Sequence, residues 1–244
     1  DGGDYGPNTP GTQTSGLQEA FNYANANKRE VYVVGGGASA AGQPVVYNVN
    51  TTLVIPWGQD WGCDGGNYVM NFTQTSGDCL VIDSQMSSVL FKFGLIVAAN
   101  LQSGSIVKIN PTTVGPDNFN VIEVSVFEFT GIAGGSGAVG LHLLANTTPN
   151  GNISNSVVRV RSISNCSTGI LLQGNRGITN TQIECGRVFS CDTGIKVESG
   201  TWNRITADPF WDESSENGSN FRAPNSKKRW PTNRKREGGW ARFC

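Results

Sequence analysis

The sequence predicts an all-β chain coiled into a solenoid of stacked turns, with one short α-helix in front. Three observations carry this: an internal repeat, a two-residue apolar alternation that recurs once per repeat, and a single segment of helical periodicity near the N-terminus. Residues 1–226 read as one domain, with a capping helix at about 15–28, coils over about 31–200 and a closing segment at 201–226. Residues 227–244 read as a basic, irregular tail.

The repeat is clearest over residues 153–199. ISNSVVRVRSISNCSTGILLQG from Ile153 aligns without a gap on ITNTQIECGRVFSCDTGIKVES from Ile178, an offset of 25. Ile153/Ile178, Asn155/Asn180, Cys166/Cys191, Thr168/Thr193, Gly169/Gly194 and Ile170/Ile195 are identical pairs. Each copy ends in Gly followed by apolar, variable and apolar residues. At the period of a strand this points Ile170/Leu172 and Ile195/Val197 inward. The same signature lies upstream at Leu141/Leu143, Val107/Ile109 and Leu80/Ile82, at steps of 29, 34 and 27 residues. A unit of this size with turn residues and no helical period suits a coiled sheet better than helix-pair repeats. Asn155 over Asn180 and Cys166 over Cys191 then form like-residue ladders between neighbouring coils. The cysteine ladder is read either as packing or as a disulfide.

The helix is placed by Leu17, Ala20, Phe21 and Ala24 at i, i+3, i+4 and i+7, with Ser15 and Gln18 as an expected capping box. Laid across the first coil, such a helix covers an otherwise open strand edge and apolar interior.

Composition narrows the function classes. Thirty-two glycines, 37% hydrophobic and 15% charged residues describe a turn-rich chain with enough apolar side chains for a continuous core. From Lys227 onward seven of eighteen residues are Lys or Arg against one acid, leaving 11 basic and 18 acidic residues in the body. An acidic body disfavours nucleic acid as a partner, because phosphate neutralisation needs a basic face on the folded domain. No apolar run reaches the roughly 18–20 residues of a membrane span, so no membrane partner is expected. The cysteines at 63, 79, 166, 185, 191 and 244 lack metal-ligand spacing, and His142 is the only histidine, so a structural zinc site is not expected; no cofactor is assigned, with calcium left open and no site identified for it.

The front end carries a resemblance. Asp4-Tyr5-Gly6, the helix at 17–28, Val31-Tyr32-Val33, the Gly35 to Gly37 turn, Tyr47-Asn48-Val49 and Leu53-Val54-Ile55-Pro56 follow in an order and spacing that resemble the pectate-lyase-like superfamily. Over residues 4–200 the resemblance implies a right-handed parallel β-helix and, with it, a secreted protein acting on a polysaccharide. That fold also hosts glycosidases, epimerases and viral tail spikes. The Asn-Thr-Asp, Asp-Asp, Gly-His-Gly and Arg-Ile-Lys segments of polygalacturonase-like hydrolases do not occur, which disfavours that activity. The clustered aspartates of calcium-dependent pectate lyases are missing too, so no calcium site is carried over.

Candidate chemistry lies in the outward columns. One column reads Val81, Lys108, His142, Leu171, Lys196, and the next reads Asp83, Asn110, Leu144, Gln173, Glu198. A neighbouring strand supplies Arg159 and Arg161 in one coil and Glu184 in the next. Catalysis is assigned to His142, expected to face outward, with Glu184 and Arg159. Lys108, Lys196, Arg161, Glu198 and Trp202 are assigned to substrate binding. Lysine and arginine beside an anionic sugar stabilise charge at its carboxylate while a base takes a proton, the requirement of β-elimination. The competing reading is a solvated sheet surface, with Arg159 and Glu184 as a cross-coil ion pair worth ~0–1 kcal/mol. Glycoside hydrolysis needs two facing carboxyl groups, for which Glu184 with Asp192 or Glu123 with Glu128 are the pairs considered. Trp202, Phe210 and Trp211 either stack on sugar or plug the far end. The expectation is a secreted lyase or glycoside hydrolase, monomeric or trimeric. The alternatives are a noncatalytic carbohydrate-binding or tail-spike-like solenoid and an inert structural one.

Overall fold

A computed structural model of the chain describes residues 5–35, 43–56, 62–65, 67–84, 86–113, 121–146, 151–175, 177–209 and 221–222. The basic tail, Phe210, Trp211 and most of the Gly35 to Gly37 turn lie outside the described residues.

Among the described residues one helix, Leu17–Asn27, precedes three parallel sheets. Every strand pairs with the equivalent strand one coil away, so the described core is a parallel β-solenoid. A seven-stranded sheet stacks Leu53–Ile55, Leu80–Ser84, Ser105–Thr113, Val139–Ala145, Thr168–Gly174, Thr193–Val197 and Phe221–Arg222. A four-stranded sheet stacks Met86–Ser87, Val121–Glu123, Asn152–Ser154 and Ile178–Thr179. The third sheet has ten strands because it turns a corner. Leu90–Ala98 and Val126–Gly134 run through the bend unbroken, whereas the later coil splits into Val157–Val160 and Ile163–Ser164.

The inward residues read from the repeat occupy the core. Ile170 and Leu172 pair with Leu141 and Leu143, which pair with Val107 and Ile109, and all six are fully buried. The stack extends back through Leu80/Ile82 to Leu53/Ile55. Ile195 and Val197 lie on this column but are only half-buried at the last long strand of the sheet. On the ten-stranded sheet a separate interior stack is aromatic. Phe91 stacks on Phe127 at 6.0 Å and Phe93 on Phe129 at 5.2 Å. One-coil spacing of ~4.8 Å is close to the separation at which offset rings attract.

The helix buries Leu17, Phe21 and Ala24, as its spacing requires. Its start corrects the expected capping box. Gly16 (φ 81) precedes the helix, and Thr14, not Ser15, accepts the Gln18 N–H at 3.1 Å. Ser15, held at φ 54, instead donates to the Asn48 carbonyl at 2.7 Å. Gln18 acts as a substitute strand. Its Nε2 donates to the Val54 carbonyl at 2.7 Å and its Oε1 accepts the Val54 N–H at 2.8 Å. The carboxamide thereby saturates both backbone groups at the edge of the seven-stranded sheet. Gln18→Ala is expected to destabilise the chain by about 1–3 kcal/mol, read as a lower urea midpoint at unchanged slope.

A second column organises the turn that leaves the four-stranded sheet. Ser88, Val124, Asn155, Asn180 and Trp202, one per coil, all have φ between 48 and 60. Asn suits this left-handed conformation, and Asn180 Nδ2 donates to Asn155 Oδ1 at 2.7 Å, as the like-residue ladder requires. Val124 is β-branched and does not suit it, and its side chain is exposed. Val124→Asn is expected to relieve that strain and lengthen the amide ladder toward Asn155. A thermal melt should show a gain of about 1 kcal/mol.

Candidate functional site

A groove of about 970 Å³ runs along the corner of the ten-stranded sheet. It crosses six coils, from Asp64 to Ala207, roughly 24 Å at one strand spacing per coil. The groove exists because the sheet bends here. Gly94 brings the chain against the Tyr68 carbonyl, where a Cβ would stand 2.2 Å from its oxygen. Gly186 likewise passes the Arg161 carbonyl, 2.5 Å from where a Cβ would sit.

Outward side chains along one wall alternate in charge. Strand register places Glu128 between Lys92 and Arg159, and Arg159 between Glu128 and Glu184. Lys92 Nζ meets Asp64 Oδ2 at 3.1 Å. Arg159 Nη1 meets Glu128 Oε1 at 2.8 Å, and its Nε meets Glu184 Oε2 at 2.8 Å. Gln182 also donates to Glu184. The Gly65 N–H and the Lys92 ammonium hold the Asp64 carboxyl below its usual range. Hydrogen bonds to Glu128 and Glu184 raise the Arg159 guanidinium further above its already high range. These groups are well exposed to screening solvent, so the pairs add little to stability. The Arg159–Glu184 pair expected from the repeat is present, and Glu128 extends it by one coil.

Two guanidiniums in the groove are differently placed. Arg161 and Arg204 are exposed, and neither guanidinium makes an ion pair or hydrogen bond among the described residues. Arg161 sits at the bend, beside Thr130 of one coil and Gly186 of the next. It is a cation available to a ligand.

The remaining sequence-derived residues occupy a different sheet. The column Val81, Lys108, His142, Leu171, Lys196 is in register as read, on the seven-stranded sheet. Lys108 pairs with Asp78 at 2.7 Å, Lys196 with Glu198, and Gln173 Nε2 donates to Glu198 Oε2 at 2.8 Å. The Lys196 ammonium, then Gln173, holds the Glu198 carboxyl below its usual range.

His142 lies on the outward column as read, but it is covered there rather than open to solvent. Its ring is 8% exposed, with Nδ1 at 3.0 Å from Ser105 Oγ. Buried Nε2 makes no hydrogen bond of good geometry, although the Gln173 side chain lies close by. Burial, then the Lys108 ammonium, pushes the imidazole below its ordinary value. His142, on one sheet, and Arg159 and Glu184, on another, do not form one constellation. Glu123 and Glu128 are likewise divided between the four-stranded and ten-stranded sheets. Trp202 is 77% exposed and does not plug the core. No group of three or more His, Cys, Asp or Glu suited to hold a metal occurs among the described residues.

The ladder was half legible in advance: Arg159 opposite Glu184 follows from the offset of 25, but Asp64, Lys92 and Glu128 lie in coils whose repeat lengths differ. An outward charge flanked by inward apolar residues, as in Phe91-Lys92-Phe93 and Phe127-Glu128-Phe129, is the signal that would have found them.

A histidine whose folded-state value is depressed binds its proton more readily when unfolded. Stability tied to His142 is therefore full above about pH 6.5 and declines as pH falls through that value. His142→Asn is expected to abolish the part of the loss that begins near there, leaving the carboxylate-linked loss at lower pH, in urea midpoints taken across the range.

No family model matches the chain, and no curated protein or solved structure gives a significant match.

Proposed function

We propose that this chain is an extracellular carbohydrate-active protein with a right-handed, pectate-lyase-like β-helix, which lays an extended acidic polysaccharide along the corner groove and cleaves it there. The observation that carries this reading is the groove itself, which repeats similar positions once per coil over six coils and contains the Arg161 and Arg204 guanidiniums, neither with a partner among the described residues. A polymer with a regular repeat suits a surface with a regular repeat, because successive units meet successive coils. A free guanidinium offers two parallel donors to a carboxylate or sulfate, which makes the polymer anionic rather than neutral.

Elimination fits these residues better than hydrolysis. Arg161 would neutralise a sugar carboxylate and so acidify the neighbouring C–H; the Glu184 carboxylate in the same groove would take that proton, the C–C double bond would form as the glycosidic C–O bond breaks, and the leaving oxygen would take a proton from water. Hydrolysis requires one carboxyl to deliver a proton. Glu128 and Glu184 both face the Arg159 guanidinium, which offers them donors and can take no proton. A noncatalytic binding role is the second reading. What favours it is the burial of His142 on another sheet, which leaves the groove without an imidazole base.

The test is a panel of uronate-containing, sulfated and neutral polysaccharides, with binding followed by calorimetry and cleavage by the absorbance of unsaturated ends. Binding of an anionic member with unsaturated product supports the lyase reading, and binding without product supports the second. Arg161→Ala is expected to weaken binding by roughly tenfold or more at unchanged thermal midpoint. Unaltered affinity in that variant, or no binding across the panel, would remove the groove as the site.

A further inference from the structure

Cys166 and Cys191 hold the same turn position in consecutive coils. Each follows a residue of positive φ, Asn165 at 56 and Ser190 at 52, and each leads into a Thr-Gly strand start whose threonines pair in register. Backbone bonds tie the two turns together. The Asp192 N–H donates to the Cys166 carbonyl at 3.3 Å, and the Thr193 N–H to the Ser167 carbonyl at 2.9 Å.

The thiols adopt matching poses. Cys166 Sγ donates to the Ser164 carbonyl at 3.2 Å, and Cys191 Sγ to the Phe189 carbonyl at 3.3 Å. Each sulfur lies against the glycine one coil behind it. A Cβ on Gly140 would stand 3.3 Å from Cys166 Sγ, and one on Gly169 would stand 3.6 Å from Cys191 Sγ. That glycine column leaves space for sulfur to change rotamer. Neighbouring parallel coils are spaced at ~4.8 Å, inside the roughly 4.4–6.8 Å Cα window that a disulfide spans.

We propose that Cys166 and Cys191 are an oxidisable pair that closes into a disulfide bridging the two coils, with a small-molecule disulfide as the oxidant. Cys191, partly buried where Cys166 is fully buried, is the first nucleophile. The thiol–thiol contact with Cys166 holds Cys191 below the ordinary thiol range and Cys166 above it. Cys191 thiolate attacks one sulfur of the external disulfide, forming a mixed disulfide and releasing one thiolate. Cys166 thiolate then attacks the Cys191 sulfur and expels the second. The two cysteine protons end on the two released thiols, the protein loses two electrons, and the external disulfide gains them.

Closure needs rotation of one or both side chains and gives up only the weak S–H···O contacts. Cys63, Cys79 and Cys185 are buried, and burial pushes each thiol up to about 12, which keeps them protonated and unreactive. The bond joins residues 25 apart in sequence, so it fastens the coil that begins at Ile178 onto the one that begins at Ile153.

The full chain is incubated with glutathione disulfide, free thiols are alkylated under denaturing conditions, and the digest is mapped by mass spectrometry. The Cys166 and Cys191 peptides are expected as one cross-linked species that dithiothreitol separates. The thermal midpoint should rise by roughly 5–10 °C on oxidation. In Cys191→Ser, Cys166 should remain alkylatable and the midpoint should not respond to oxidant. A glutathione adduct that persists on Cys191, a link from Cys191 to Cys185 or Cys244, or no modification of the wild-type chain would overturn the proposal. Because the mapping is read on the wild type, it does not depend on the variant folding.

Discussion

Register between coils is the constraint on which the rest of this structure depends. Parallel pairing sets each residue beside its counterpart one coil away, so whatever a position carries is repeated or answered at ~4.8 Å. A one-residue slip would turn every apolar side chain outward and every charge inward. Interior stacks of Leu, Ile, Val and Phe hold the register from within, and the Asn155–Asn180 ladder holds it at the turn. The alternating wall from Asp64 to Glu184 adds little stability, but it favours one register, since a shift would set each charge beside an apolar residue instead of its partner.

A stacked architecture leaves its ends open, and the first coil shows how one end is closed. An edge strand exposes N–H and C=O groups that could recruit another chain. Here the Gln18 carboxamide takes the place of a neighbouring peptide at Val54, while the Ser15 hydroxyl and the Gln13 carbonyl serve the strand Val45–Val49 and the residue after it. Leu17, Phe21 and Ala24 cover the apolar interior at the same time. The helix therefore satisfies both polar and apolar requirements of one open coil.

Bending separates the chemistry into two faces. The corner groove joins Arg159, Arg161, Glu184 and Arg204, whereas the flat seven-stranded face joins Asp78, Ser105, Lys108 and His142 in a partly buried polar cluster. His142 is desolvated and fixed against Ser105, so its contribution is to the fold's pH dependence rather than to a ligand in the groove. The cysteine pair lies apart from both, at the turn between the bend and the flat face.

By itself the sequence determined the coil. The offset of 25 between Ile153 and Ile178, the apolar pairs from Leu80/Ile82 to Ile195/Val197 and the helical spacing of Leu17, Phe21 and Ala24 are local periodicities, and local periodicity dictates which side chains turn inward. The same arithmetic placed Arg159 beside Glu184 and Lys108 beside His142. Only the tertiary structure decided where the sheet bends, because a bend depends on close backbone approach at Gly94 and Gly186, whose partners lie in other coils. It also decided that Thr14 rather than Ser15 caps the helix, that His142 is buried, and that Arg159 is shared by two carboxylates while the Arg161 guanidinium has no partner among the described residues. Exposure and partnership are properties of the space between coils, and a linear pattern carries the order of the coils but not that space.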